Sequence, residues 1–459
     1  MLRLHDTAFG QVAELELRDP GQVAMYVCGP TVYDVPHLGH GRFSLVFDVL
    51  RRYLEWSGLR VRYVSNITDI DDQIINRANR DGRTTEDVAA EYEAVWWEVM
   101  DRLGVKRPDA DPHATAYVEP MVGLVARLVA AAKAYTTPGG VYLSVDAVPD
   151  YGLLARQSLG SLRAGARVEV DEHKRSPLDF ALWKLAKPGE PSWASPWGDG
   201  RPGWHTECVV MSLDLLGDGF DLHGGGQDLA FPHHENERAQ ALAVGRPFAR
   251  RWAHNGFVEV GGEKMSKSLG NYTTLTDLLA VHDPRAYRLL VLRSHWRAPI
   301  EVNVASLAQA DASLATLDAF TRRAAELPAG EAPAGEAAAA ADSAVLARFQ
   351  ARMDDNLDTP RAMAELFDTI RAANQAIDGG DAAAAVPLAA AVGEMAAAVG
   401  LTLAGADAVP PEIRELVAER ERARAARDFS ASDQLRGRLL ALGWVVEDTP
   451  RGSRVYRGG

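Results

Sequence analysis

The sequence predicts an α/β fold: a parallel-sheet domain carrying an insertion, then an α-helical bundle, then a small α+β unit. Three observations predict it. The apolar run Val23–Val27 passes through Gly29 and Pro30 into Phe43, Val46, Phe47, Leu50 and Leu54 at helical spacing, which reads as strand, polar loop and helix. A second such passage lies at Phe220–Asp228, a short strand running into three glycines, followed by a helix starting at Pro232. Beyond residue 316 the pattern turns Ala-rich and helical, and it ends in two short apolar runs after Gly443.

The loop after the first strand is Cys28-Gly-Pro-Thr-Val-Tyr-Asp-Val-Pro-His-Leu-Gly-His40. In an open parallel sheet such a loop lies at the carboxyl end of a strand, where ligands bind. It carries a thiol and the imidazoles of His37 and His40. Gly39 and Gly41 let another molecule approach the start of the helix, where amide hydrogens favour a phosphate. Read alone, the same loop is equally a Gly/Pro turn with surface histidines.

The next segments follow in order. Leu59–Ile67 alternates like a strand and places Thr68 at its end, towards the proposed site. Asp71 and Asp72 read either as site carboxylates or as acids favoured at a helix N-terminus. Helices are expected from Glu86 to Leu103, with Trp96 and Trp97 packing, and from Tyr117 to Lys133. A turn and strand follow at Gly139–Val145. From there to Ser195 the chain reads as irregular, an insertion between two halves of the sheet domain. Gly203-Trp-His-Thr-Glu-Cys208 opens another helix. His233 and Glu237 stand at i and i+4 and so share a helix face, though polar residues on a solvated helix would look the same.

Phe257–Val260 reads as a strand before Lys264-Met-Ser-Lys-Ser-Leu-Gly-Asn271. Lys264 and Lys267 with Ser266 suit a mobile anion clamp, lysine giving point charge and serine hydrogen bonds. Asp277–Ser294 reads as a helix with Arg285, Arg288 and Arg293 exposed or facing a partner. Ala324–Ala341 reads as a mobile connection. Helices at Ser343–Ile377 and Ala382–Val399 give the bundle, with no reason to place a cofactor there. After Glu412 come two helices and a small hairpin. Ten arginines between Arg414 and Arg457 make this end basic in a chain of net charge −14, and so the best candidate for a separate nucleic-acid surface. Trp444 and the nearby arginines are its candidate contacts.

At 459 residues the chain is too long for one core. No window approaches a membrane span, the first residues lack a secretory apolar segment, and two cysteines fit a reducing cytoplasm. Cys28, Cys208, His233 and Glu237 stand out as soft or borderline ligands on separate elements. Thiolate, imidazole and carboxylate together suit tetrahedral zinc, provided the fold assembles them.

Pro36-His-Leu-Gly-His40 resembles the HIGH motif, and Lys264-Met-Ser-Lys-Ser268 the KMSKS motif, of class I aminoacyl-tRNA synthetases. Cys28-Gly-Pro-Thr-Val-Tyr-Asp, Gly203-Trp-His-Thr-Glu-Cys208, His223-Gly-Gly-Gly and Phe231-Pro-His-His-Glu-Asn-Glu237 together are similar to the cysteinyl-tRNA synthetase family. The resemblance spans nearly the whole chain, with Leu38 replacing the commoner Ile. It implies a Rossmann-like catalytic domain, ATP-dependent activation of L-cysteine to cysteinyl-adenylate, and transfer to tRNA(Cys).

The resemblance also implies one Zn²⁺ held by Cys28, Cys208, His233 and Glu237, and Mg²⁺ accompanying ATP. It assigns ATP contacts to His37, Gly39, His40, Lys264, Ser266 and Lys267, with His37, His40, Lys264 and Lys267 catalytic. Cysteine would be held by Gly29, Thr31, Thr68, Trp204 and His223. A metal–thiolate bond discriminates against serine where an apolar pocket cannot, so no editing domain is expected. The expected division is 1–116 and 200–255 for the two catalytic halves, 117–199 for the connective insertion and 256–315 for the KMSKS-bearing region. The bundle then takes 316–404 and an anticodon-binding domain 405–459. We expect a cytoplasmic monomer with no membrane partner. The rival readings are a ligase joining cysteine to an amino sugar for a thiol cofactor, and a noncatalytic tRNA-binding paralogue.

Overall fold

The first strand–loop–helix unit folds as its pattern dictates. β1 (Arg3–Asp6) and β2 (Gln11–Glu14) form a small hairpin ahead of β3 (Gln22–Val27). α1 (Leu38–Trp56) follows and buries Leu45, Val46, Phe47, Val49 and Leu50 on the sheet, and β4 (Arg60–Val64) returns parallel to β3. The computed structural model describes residues 1–158, 160–161, 174–260, 263–264, 274–327, 340–403, 411–449 and 452–457.

α2 (Asp72–Asp81) is capped by Asp71, whose side chain accepts from the Gln73 amide, while Asp72 pairs with Lys184 at 2.6 Å and with Arg201. Both carboxylates are therefore structural. α3 (Thr85–Arg102) begins one residue before the predicted stretch and ends inside it, and α4 (Val118–Ala130) lies within its own.

The insertion is more regular than its sequence suggests. β5 (Ala134–Thr137), β6 (Gly140–Leu143), β7 (Phe180–Leu185) and β8 (Gly200–Pro202) form an antiparallel four-stranded sheet. Phe180-Ala-Leu-Trp-Lys-Leu185 is apolar enough for a strand, but Pro- and Arg-rich neighbours hid it.

α5 (Trp204–Leu216), β9 (Leu222–Gly226), α6 (Glu235–Ala243) and β10 (Arg251–Asn255) complete the core. The parallel sheet has the order β10-β9-β3-β4, and β3 and β9 are neighbours with Tyr26 beside His223 and Val27 beside Gly224. The chain leaves β3 for β4 on one side and β9 for β10 on the other. Their carboxyl ends thus form a topological switch point, the place where open sheets bind ligands. Gly224 is required there, since a Cβ would run into the Phe47 ring.

β11 (Val258–Val260) pairs with β12 (Glu263–Lys264) and β13 (Ile300–Glu301). The single helix expected over Asp277–Ser294 is two, α7 (Leu275–Val281) and α8 (Pro284–Leu292). Pro284 starts the second, and its cap Asp283 accepts from the Arg285 amide. Arg288 is not exposed: at 2% accessibility it pairs with Asp48 of α1 at 2.6 Å and donates to the Leu103 carbonyl at 3.0 Å.

The chain divides into two compact units. One holds Met1–Leu307, Ala347–Glu365 and Ala397–Gly400, and so the parallel sheet; the other holds Ala308–Leu346, Leu366–Ala396 and Leu401–Gly459. The bundle helices are α9 (Val304–Ala324), α10 (Ser343–Asp354), α11 (Thr359–Asp378) and α12 (Ala382–Ala398). The stretch expected at Ser343–Ile377 is thus two helices, and most of the Ala324–Ala341 connection lies outside the described residues.

The chain ends in α13 (Pro411–Ala425), α14 (Phe429–Ala441) and the hairpin β14 (Trp444–Thr449) with β15 (Gly452–Arg457). Trp444 is 4% exposed and packs with Ile413, Val417, Leu439 and Val446, so it is a core residue and not a surface contact.

Candidate active site and metal cage

Four elements deliver the candidate ligands to one buried point. Cys28 is the first residue beyond β3, and its amide donates to the Gly224 carbonyl at 3.2 Å. Cys208 lies in α5, His233 in the turn before α6, and Glu237 in α6. Their ligand atoms lie within 4.8 Å of one another, and all four residues are buried. Cys28 Sγ is 3.6 Å from Cys208 Sγ and 3.4 Å from Glu237 Oε1, and Cys208 Sγ is 3.7 Å from His233 Nε2. A tetrahedral ion with bonds of about 2.0–2.3 Å needs ligand separations of about 3.3–3.8 Å. The residues fit such an ion. The His233–Glu237 separation, 3.0 Å, is that of a hydrogen bond.

Cys28, His223, His234 and Glu237 form an overlapping set of the same span. The first set is the better cage for a borderline-soft ion because it supplies two thiols. Its histidine is also held from behind, His205 Nδ1 lying 2.8 Å from His233 Nδ1, which turns Nε2 to the cage.

The electrostatics follow from burial and close pairing. Burial pushes the Cys28 thiol well above its ordinary pKa, and the Cys208 hydrogen bond adds to this. The same bond, helped by His233, lowers Cys208 to about 6 despite its burial. Burial disfavours charge on His233, but Glu237 and Cys208 outweigh it and raise the imidazole to about 10. Glu237 is held well below the carboxylate range: His223 and His233 outweigh its burial.

A second layer of buried polar groups surrounds the cage. His223 Nε2 lies 2.7 Å from Glu237 Oε2, His234 Nδ1 lies 2.7 Å from His254 Nε2, and His254 Nδ1 meets Thr7 Oγ1 at 2.7 Å. Burial keeps His205 and His234 well below the ordinary histidine value and lowers His254 to about 3, so these rings are neutral. Thr68 donates to Glu207 at 2.8 Å, and Asn66 Oδ1 accepts from the Tyr26 hydroxyl at 3.1 Å and the Gly29 amide at 2.9 Å. Burial pushes the Glu207 carboxyl well above its usual range.

Above the cage lies a cleft of about 380 Å³. Cys28, Gly29, Thr31, His37, Gly39, His40 and Trp204 line it, with Gln227 and Asp228 on another side. Gly29 has no room for a Cβ, which would overlap the Asn66 carbonyl. Trp204 stacks on His233 at 4.1 Å between ring centroids and remains 39% exposed. His37 and His40 cap α1 reciprocally. His37 Nδ1 accepts from the His40 amide at 3.3 Å, and His40 Nδ1 from the His37 amide at 3.1 Å, with the rings stacked at 3.8 Å.

The structure therefore brings together the four cage residues, both loop histidines, Gly29, Thr31, Gly39 and Trp204. Thr68 and His223 do not line the cleft; both are buried behind it, holding Glu207 and Glu237. Lys264 is described only as β12 backbone, opposite Glu259, and Ser266 and Lys267 lie outside the described residues. Sequence reasoning missed Asn66, His205, Glu207, His234 and His254. Their signal was faint: polar residues beside predicted ligands, on elements that otherwise read as core.

The fold and this site define a class I aminoacyl-tRNA synthetase. Residues 14–312 match the model of the class I (C) tRNA synthetase catalytic domain, and residues 348–404 that of the DALR domain. In fold the chain is similar to two structures of Mycobacterium tuberculosis methionyl-tRNA synthetase with methionyl-adenylate. One has a TM-score of 0.61 at 16% identity, covering 82% of this chain and 89% of the other. The second has 0.63 at 15%, covering 90% and 96%.

Residues 406–456 match the cysteinyl-tRNA ligase anticodon binding domain. Over its whole length the chain is 46% identical to the whole cysteine–tRNA ligase of Halorhodospira halophila. It is 44% identical to that of Trichlorobacter lovleyi, covering 98% of this chain and 99% of the relative. The chain belongs to the cysteine–tRNA ligase family.

Proposed function

We infer that this chain is a cysteine–tRNA ligase in which the buried cage selects the substrate thiol. The observation that carries the reading is a buried cluster of two thiols, an imidazole and a carboxylate that meets the cleft through Cys28, which lines it together with His37 and His40, and through Trp204, which stacks on His233. Cys28, Cys208, His233 and Glu237 would hold Zn²⁺, which when bound supplies a position that favours a thiolate over a hydroxyl.

The rest is positioning. His37 and His40 each accept a backbone hydrogen at Nδ1, so a neutral ring carries its proton on Nε2 and presents a donor for phosphate oxygens. A cysteine carboxylate oxygen attacks the α-phosphorus of ATP, the bond to the bridging oxygen breaks, and pyrophosphate leaves. A terminal ribose hydroxyl of tRNA then attacks the carbonyl carbon and AMP departs. Charge neutralisation and alignment dominate such a step. Lys264 and Lys267, with Ser266, are assigned to the triphosphate, which brings Mg²⁺ with it. Trp204, Gly29 and Thr31 are assigned to the amino acid, and residues 405–459 to the anticodon. Among the described residues no helix is long and apolar enough to cross a membrane, and we place the reaction in the cytoplasm.

The test is cysteine-dependent ATP–pyrophosphate exchange on zinc-loaded protein, followed by transfer of labelled cysteine to tRNA or to an inositol amino sugar. Exchange with charging of tRNA is expected. Transfer to the amino sugar alone would overturn the reading.

A further inference from the structure

A second cavity, of about 400 Å³, opens beside the active-site cleft and shares a single lining residue with it, Gln227. It lies at the carboxyl end of β10, where His254 contributes to its wall, and the hairpin β1–β2 closes it through His5 and Thr7. Arg156, from the insertion, and Arg297, from the turn after α8, complete it, and no aspartate or glutamate is among its lining residues. Among the described residues neither arginine side chain has an ion pair or hydrogen-bond partner. In a chain of net charge −14, two guanidinium groups around one cavity without a carboxylate form a local reversal of sign.

The arrangement is built rather than incidental. Arg156 holds a left-handed backbone conformation at φ 54°, unusual for a residue with a side chain. Its guanidinium lies against Gly10, itself at φ 67°, where a Cβ would overlap it. His5 lines the cavity with both cations: burial and then the charges of Arg297 and Arg156 hold its imidazole below the ordinary value. Its Nδ1 is buried with no hydrogen-bond partner. Cations, a neutral imidazole and the Gln157 and Gln227 amides are the donor set for a phosphate diester, which arginine meets with two parallel hydrogen bonds.

We propose that this cavity holds a backbone phosphate of the single-stranded 3′ end of tRNA, between Arg156 and Arg297, while the terminal ribose enters the neighbouring cleft past Gln227. The assignment rests on the ligase reading. That reaction requires the RNA terminus to reach the activated carboxyl, so phosphates of the last nucleotides must be accommodated next to the cleft.

The test uses the full-length R156A/R297A and R156K/R297K variants beside the wild-type protein. ATP–pyrophosphate exchange, which needs no RNA, should stay within about twofold, showing an intact fold and cage. The KM for tRNA in charging should rise at least fivefold in the alanine variant and recover in part in the lysine variant. The slope of log affinity against log salt should become shallower by about 0.7 for each phosphate no longer neutralised. With tRNA lacking its 3′-terminal nucleotides, wild-type and variant proteins should bind alike. Exchange falling in step with charging would overturn the proposal, as would equal affinity losses for trimmed and intact tRNA. Inorganic phosphate binding that disappears in R156A/R297A while charging is unchanged would make this a free-anion site and also overturn it. A wild-type protein that exchanges but charges no tRNA would instead remove the ligase reading, and this assignment with it.

Discussion

His205 shows how much of the cage rests on residues that never touch its centre. Its Nδ1 meets His233 Nδ1 at 2.8 Å, and its carbonyl accepts from Gln240 Nε2 at 2.8 Å, so ring and backbone are both fixed. Partners of this kind orient a ligand and typically govern about 10–100-fold in metal affinity. His205→Ala should therefore weaken zinc binding by about that factor with all four ligands retained, as measured by chelator competition. Unchanged affinity would mean that the helix alone orients His233. The clustering of Cys28, Cys208, His233 and Glu237 was legible in the sequence because their residue types are rare together. The supporting residues were not: Asn66, Glu207 and His254 act through neighbours brought in from other strands, which no local pattern reports. Thr68 and His223 were legible as site residues but not in their positions, since strand-end residues can face the cleft or the layer beneath it.

At the scale of the element, α1 joins the site to the core. Its first turn presents His37 and His40, and its middle buries Asp48 against Arg288 at 2.6 Å and Arg52 at 2.8 Å, with the Lys106 amide donating at 2.9 Å. Burial would push the Asp48 carboxyl up, but the two arginines outweigh it and hold it below the ordinary range. Removing one member of a buried pair leaves the other charge uncompensated, at a cost of about 3–5 kcal/mol. Asp48→Asn should lower stability by that order, read from the denaturant midpoint.

The sign of the pH effect follows from the depressed value. Asp48 stabilises the fold fully above the ordinary carboxylate pKa of about 3.9, and that contribution is lost as pH falls through its lower folded value. The acid limb of the wild-type stability curve should thus be steeper than that of Asp48→Asn; parallel limbs would contradict the pairing. The sequence could not show this link. Arg288 stands in a run with Arg285 and Arg293 that reads as a basic face, and only the α7–α8 break at Asp283-Pro284 turns it inward.

For the whole molecule, the parallel sheet was legible because both strand–loop–helix passages carry glycines in their loops, whereas its switch point needed the strand order β10-β9-β3-β4. Of the insertion's sheet only β6, within the strand expected at Gly139–Val145, was legible, since the other strands are short and sit among Pro- and Arg-rich neighbours. The end of the chain was legible as helices and a hairpin, yet Trp444 shows that a large aromatic near arginines can be the core of a small unit instead of its binding face. Charge acts at this scale too. A net −14 argues against nonspecific RNA adhesion, so affinity for tRNA must come from local groups, and the Arg156–Arg297 cavity is proposed as one of them.

The central claim is that the buried cage, and not the shape of the cleft, chooses the amino acid. The most direct measurement is amino-acid-dependent ATP–pyrophosphate exchange with cysteine and with serine, on zinc-loaded and on chelator-stripped protein. The account predicts exchange with cysteine only, lost on stripping and restored by zinc. Exchange that survives removal of the metal, or that serine supports as well as cysteine, would contradict it.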